Sequence, residues 1–144
     1  MSQDSLLLEL HFPSQAEQLQ HVRRKVSEIL QQQHCHVNEI DCAVLAINEA
    51  CMNIIQHAYG GDCSGRIILK IFDSGEELVF LLIDFATPVE EHKIRPRDLD
   101  EIRPGGLGVH FIREMMDECR FLECPDGIGN IFQMRKRKLK DKGC

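Results

Sequence analysis

The chain has no apolar run approaching the roughly 18 residues of a membrane-spanning helix, and its first residues lack the basic-then-apolar pattern of a secretory signal. Both absences point to a cytoplasmic protein without a membrane partner. It also lacks any CxxC pair, and its seven cysteines are an odd number, which speaks against a disulfide framework. No strand is followed by GxGxxG and no GxxxxGK[ST] occurs, so neither a Rossmann dinucleotide site nor a P-loop is available. Positive charge is in deficit. The net charge of −6 argues against direct nucleic-acid binding. No internal repeat or low-complexity segment breaks the chain.

What remains is an ordinary globular composition. The 144 residues, 43% apolar and 28% charged, are enough for one domain over residues 1–144 with a real core. "QHCHVNEIDC" clusters His34, Cys35, His36 and Cys42. Their spacing fits no common zinc pattern, and buried or idle thiols of a reducing compartment are the better reading. The tail "MRKRKLKDKGC" is locally basic, which suits phosphate or an acidic partner, or simply a last strand running out into solvent.

Periodicity divides the chain. "LLLELHFP" alternates weakly and ends at Pro13, as a strand does. From Ser14, a candidate N-cap, Leu19, Val22, Val26, Ile29 and Leu30 recur at helical spacing. A second helix is expected from about Val37 to Tyr59, with a wide apolar face from Ile40 to Ile55. "GRIILKIFDSGEELVFLLIDFA" reads as two strands around a turn at Asp73, Ser74 and Gly75, the second apolar throughout and so suited to the centre of a sheet. From about Ala86 to Gly106 the pattern fails, and a loop of that length is usually functional, often a lid. "LGVHFIREMMDE" resumes helical spacing, "CRFLEC" is a strand, "PDGIGN" turns and "IFQMRKRK" closes the chain as a strand. This order predicts an α+β two-layer sandwich, with helices grouped against one face of a sheet built from antiparallel hairpins.

Three stretches carry polar groups that the fold does not demand. In "NEACMNIIQHAYGG", Glu49, Asn53 and His57 follow one another at intervals of four and share one helical stripe bordering the apolar face. That stripe is either a solvated face or the wall of a site, where Glu supplies a base and Asn an oxygen ligand for a hard cation. Asp84 ends the apolar strand, where a carboxylate is expensive unless it is exposed or meets a donor; a purine amine and a backbone amide both qualify. "RPGGLGVHFIRE" sets Gly105, Gly106 and Gly108 at the start of a helix, either as a hinge or as backbone that closes on an anion. Gly108 inside the helix costs about 1 kcal/mol against Ala, which is easier to understand if phosphate lies over it.

In this order the stretches resemble the N-box, first glycine box and second glycine box of the GHKL ATP-binding superfamily, and most of all its branch of anti-sigma factor serine/threonine kinases, the RsbW-like regulators. "NEACMNIIQHAYGG" is similar to that branch's E-x-x-x-N-x-x-x-H-x-Y helix, "LLIDFATPVE" to its D-x-G-x-P segment and "RPGGLGVHFIREMMDECRF" to its G-x-G-L-x-x-I-x-x-x-M-D run. The likeness covers nearly the whole chain. It implies the Bergerat-type fold of that superfamily, with a mixed, mostly antiparallel sheet and helices on one face.

It also implies roles. Glu49 would be the catalytic base, and Asn53 would hold Mg²⁺ against the phosphates of ATP. Asp84 would accept a hydrogen bond from the adenine amine. Gly105, Gly106, Leu107, Gly108 and Val109 would wrap the phosphates, with Arg103 as a charge clamp. His57 completes the nucleotide-binding set and is expected mainly to order the helix end. Ala86 stands where the family has Gly, and its methyl would crowd the nucleotide if the backbone there needs positive φ. The implied activity is phosphoryl transfer to a STAS-domain anti-sigma factor antagonist, by a homodimer that otherwise holds a sigma factor. The alternative is a non-catalytic ATP-binding module that sequesters a partner protein.

Overall fold

The computed structural model describes residues 4–61, 64–86, 107–124 and 129–138. The loop expected over residues 86–106 lies outside these apart from Ala86, as does most of the "PDGIGN" turn. Strand β1 (Ser5–Pro13) leads through a single 3-10 turn (Ala16–Gln18) into α1 (Leu19–Gln32) and α2 (Val37–Asn53). The hairpin β2 (Arg66–Asp73) and β3 (Glu77–Asp84) follows, then α3 (Leu107–Met115), β4 (Glu118–Leu122) and β5 (Asn130–Arg137). The five strands lie in the order β1-β2-β3-β5-β4. All four described pairings are antiparallel. The expected α+β architecture is there, with α1 and α3 both packed on α2.

Alternation explains the sheet's inner face. Ile67, Leu69 and Ile71 of β2 are fully buried and stand opposite Asp84, Leu82 and Phe80 of β3. Met134 of β5 continues the row beyond Phe80. Against these sit Val22, Val26 and Leu30 of α1, and Ala43, Ile47, Ala50 and Cys51 of α2, in one cluster. Burial pushes the Cys51 thiol up to about 12, so this cysteine is an inert apolar filler.

Two local expectations are revised, at Ser14 and in the basic run of β5, and His36 gains a role. Ser14 does not begin the first helix: its backbone N–H donates to Gly65 O at 2.9 Å, which holds it to the start of β2, and α1 begins only at Leu19. His36, in the Cys/His cluster, instead caps α2. Its Nδ1 accepts from Asn38 N at 3.3 Å, and Glu39 Oε1 accepts from His36 N at 2.9 Å. The basic run of β5 is internally partnered rather than left to solvent. Arg135 donates to Glu77 at 2.8 Å, Lys136 to the Met115 carbonyl at the end of α3 at 2.9 Å, and Lys138 to Asp73 at 2.7 Å.

One polar side chain works against the sheet. Gln133 neighbours Met134 and so lies on the face away from the helices, paired in register with Leu81 and Arg120. It is buried, and its Nε2 has no hydrogen-bond partner among the described residues. An unsatisfied buried amide costs about 1–3 kcal/mol. Gln133→Met keeps the length and removes the donor, so its urea-unfolding midpoint is expected to rise, by about 1 kcal/mol of stability. A loss of that size in the same titration would mean that the amide has a role here.

Candidate functional site

Helix α2 runs as α-helix to Asn53 and then widens into a π turn over Ile54–Ala58. Tyr59 N–H reaches back five residues to Ile54 O at 2.9 Å, and Gly61 N–H to Ile55 O at 2.8 Å. Such turns are uncommon and recur at functional sites. Glu49 and Asn53 stay on the regular helix, half-buried, beside the buried Ala50 and Ile54. His57 falls within the π turn and is exposed. Asn48, next to Glu49, accepts from Arg23 Nη1 of α1 at 2.7 Å, which fixes how the helix is rotated.

Tyr59 ties the end of this helix to the sheet. Its hydroxyl donates to Arg66 O at 2.7 Å and accepts from Phe85 N at 2.7 Å. The ring lies over Gly65, where an added methyl would come within 2.6 Å of the ring carbons. One phenol therefore joins the Asn53 end of α2, the first residue of β2 and the residue after Asp84. This is what brings the first two predicted stretches to the same end of the molecule. Tyr59 lies within the motif, but nothing in its spacing points to this task.

Asp84 sits at the end of β3, opposite Ile67 on one side and Asn130 on the other, and is only 3% exposed. Both of its donors go to one oxygen: Asn130 Nδ2 to Oδ1 at 2.9 Å, and Ala86 N–H to Oδ1 at 3.0 Å. Oδ2 has no partner among the described residues. Burial pushes the carboxyl above the ordinary carboxylate value, against the pull of the two donors. A buried carboxylate with one saturated and one available oxygen is a ready acceptor for a ligand N–H.

Ala86, the departure from the glycine pattern, does not have positive φ; His34 is the one non-glycine residue that does among those described. The methyl therefore imposes no backbone strain. Gly129 is the glycine this site does require. Its φ is +67°, and a Cβ there would run into the Asp84 carbonyl, so the chain entering β5 passes directly over the acid.

The third stretch is described only in part. Leu107, Gly108 and Val109 open α3, and this helix packs along α2, so its N-terminus belongs to the same two-helix layer as Glu49 and Asn53. Arg103, Gly105 and Gly106 lie outside the described residues. No group of three or more His, Cys, Asp or Glu side chains able to hold a metal is present among the described residues. An ion here would rest on few protein ligands, and the neutral amide oxygen of Asn53 suits a hard cation completed by phosphate and water.

Residues 12–136 match the histidine kinase-like ATPase domain. The serine-protein kinase RsbW of Staphylococcus aureus strain JH9 is 30% identical over 94% of this chain and 92% of its own length. Another S. aureus RsbW is 27% identical over the same shares. This chain belongs to the RsbW-like branch of the histidine kinase-like ATPases. Solved structures agree at the level of fold. The RsbU and RsbW domains of Rv1364c from Mycobacterium tuberculosis give a TM-score of 0.63 at 19% identity, over 91% of this chain and 32% of that one. The mycobacterial sensor histidine kinase MprB gives 0.57 at 10% identity, over 91% and 98%. No described helix is long and apolar enough to cross a membrane.

Two consequences for this family member can be measured. Tyr59→Phe removes the phenol from Phe85 N and Arg66 O, and is expected to lower stability by about 1 kcal/mol in urea titration; an unchanged midpoint would mean that water replaces the hydroxyl without loss. The second consequence concerns pH. Because the folded-state value of Asp84 is raised, its ionised form is a cost to the ligand-free fold at neutral pH, and that cost fades as pH falls through the raised value toward 3.8. Asp84→Asn should therefore melt a few degrees higher than the parent at pH 7, with the gap closing as the pH is lowered. A variant less stable than the parent at every pH would refute the sign.

Proposed function

We propose that this protein is an ATP-dependent serine/threonine kinase and anti-sigma regulatory factor that phosphorylates a STAS-type antagonist in a partner-switching system. One observation carries the reading: Asp84 is buried with an oxygen left for a ligand, at the end of the sheet to which Tyr59 pins the Glu49–Asn53 helix. The RsbW kinases, similar over nearly the full length, support the same assignment. In this reading Asp84 Oδ2 accepts the exocyclic amine of adenine. The phosphates run along α2 toward the N-terminus of α3, where Leu107, Gly108 and Val109, with Arg103, Gly105 and Gly106 before them, would supply N–H donors and positive charge.

Mg²⁺, when bound, would neutralise charge building on the transferred phosphoryl group, and Asn53 is the side chain that would hold it. Glu49, one turn before Asn53 on the same stripe, would take the proton from an attacking serine or threonine hydroxyl. Positioning and charge neutralisation carry most of the rate in such a transfer. Water in place of the hydroxyl would make the same site an ATPase. His57, exposed on the π turn, contributes to the shape of the helix end. Release of the sigma factor by the unphosphorylated antagonist, from a homodimer, completes the proposed cycle.

With γ-labelled ATP and a purified STAS-domain antagonist, label is expected to move to the antagonist. Glu49→Ala should cut that transfer by about a hundredfold or more while ATP still binds. Binding without transfer, indifferent to Glu49→Ala, would favour the alternative of a non-catalytic ATP-binding module that sequesters a partner.

A further inference from the structure

The Asp84 carboxylate has a side-chain partner that the base-acceptor assignment does not by itself explain. Asn130 is the first residue of β5, stands directly across from Asp84 in register, and is 5% exposed. An amide at that depth is expensive unless it is hydrogen-bonded, and its Nδ2 donates to Asp84 Oδ1 at 2.9 Å. The approach is fixed from behind: Gly129 is pressed on the Asp84 carbonyl, and its own carbonyl accepts from Cys124 Sγ at 3.1 Å. Asn130 has little room to turn away.

Geometry gives this contact a purpose. A carboxylate can rotate about its Cβ–Cγ bond and offer either oxygen. With Ala86 N–H and Asn130 Nδ2 both on Oδ1, the plane is set and Oδ2 is the oxygen presented to a ligand. Two donors on one oxygen also favour the ionised form, which accepts and does not donate. Oδ2 then discriminates by hydrogen-bond sense. A 6-amino purine donates to it, a 6-oxo purine sets oxygen against oxygen, and a purine with hydrogen at C6 leaves the charge without a partner.

We propose that Asn130 is a positioning residue that confers preference for 6-amino purines by holding the Asp84 carboxylate in a single orientation. The proposal rests on the reading of Asp84 as the base acceptor. It assigns to Asn130 a share of the selectivity and none of the phosphate binding.

Calorimetric titration of the full chain with Mg²⁺ and either ATP or purine riboside triphosphate, which lacks the amine, tests this. The parent is expected to prefer ATP by about tenfold or more, as a hydrogen bond to a charged group allows. Asn130→Leu, nearly isosteric and without a donor, should lose about tenfold in ATP affinity and little for the purine analogue, so the preference collapses. An equal loss for both nucleotides, or an intact preference, overturns the proposal in favour of a merely structural strand contact. If Asn130→Leu does not fold, Asn130→Ser serves: its shorter donor should leave an intermediate preference, and a full one overturns the idea. A parent that binds neither nucleotide would refute the base-acceptor reading itself, and this proposal with it.

Discussion

A carboxylate ends the most apolar strand of the molecule and is kept in place there. β3 lies in the middle of the sheet, with Leu78, Val79, Phe80 and Leu82 buried, and the same burial reaches Asp84. Hydrocarbon surroundings oppose the ionised form, and the donors of Asn130 and Ala86 make the charge tolerable. Beside it Gly129 runs so close that a Cβ there would meet the Asp84 carbonyl. A stability-driven sequence would place an apolar residue at this position. Retaining an acid there is understandable as preorganisation for a ligand that brings its own donor.

The acid alone would not define a site for a nucleotide, whose base and phosphates are far apart. The second requirement is that the helix carrying Glu49 and Asn53 keep a fixed position relative to the base end. The π turn and Tyr59 meet it together. Widening the helix after Asn53 brings the chain to Tyr59, whose single hydroxyl bonds both β2 and the residue following Asp84. Arg23, holding Asn48, fixes the rotation of the same helix from the α1 side. Position and rotation are thus set by different contacts.

Much of this was legible in the sequence because the signals were local. The unbroken apolar run of β3 indicated a central strand, and β3 is flanked by β2 and β5. The four-residue intervals of Glu49, Asn53 and His57 indicated one helix face, although the π turn sets His57 apart. The parts that could not be read depend on distant partners. Tyr59 meets Phe85 across 26 residues and Asn130 meets Asp84 across 46, and no periodicity encodes either contact. Ser14 looked like a helix cap because its local chemistry favours one. Its backbone is instead held to Gly65, a constraint imposed by strand pairing. Arg135 and Lys138 looked solvated because their acidic partners, Glu77 and Asp73, lie on two other strands.

Ala86 shows how a departure from a family pattern should be weighed. A glycine position matters to a fold for one of two reasons: the backbone needs positive φ, or something lies where Cβ would be. The first does not apply, since Ala86 has ordinary negative φ. What the site takes from residue 86 is its N–H, donated to Asp84 Oδ1. Any residue except proline supplies that donor. The methyl therefore bears on a nucleotide only through the space it occupies, and the electrostatic setting of Asp84 is the same with alanine as with glycine. On the proposed reading, selectivity at the base end would then depend on the two donors on Oδ1, one from a backbone N–H that any residue but proline supplies and one from the Asn130 side chain.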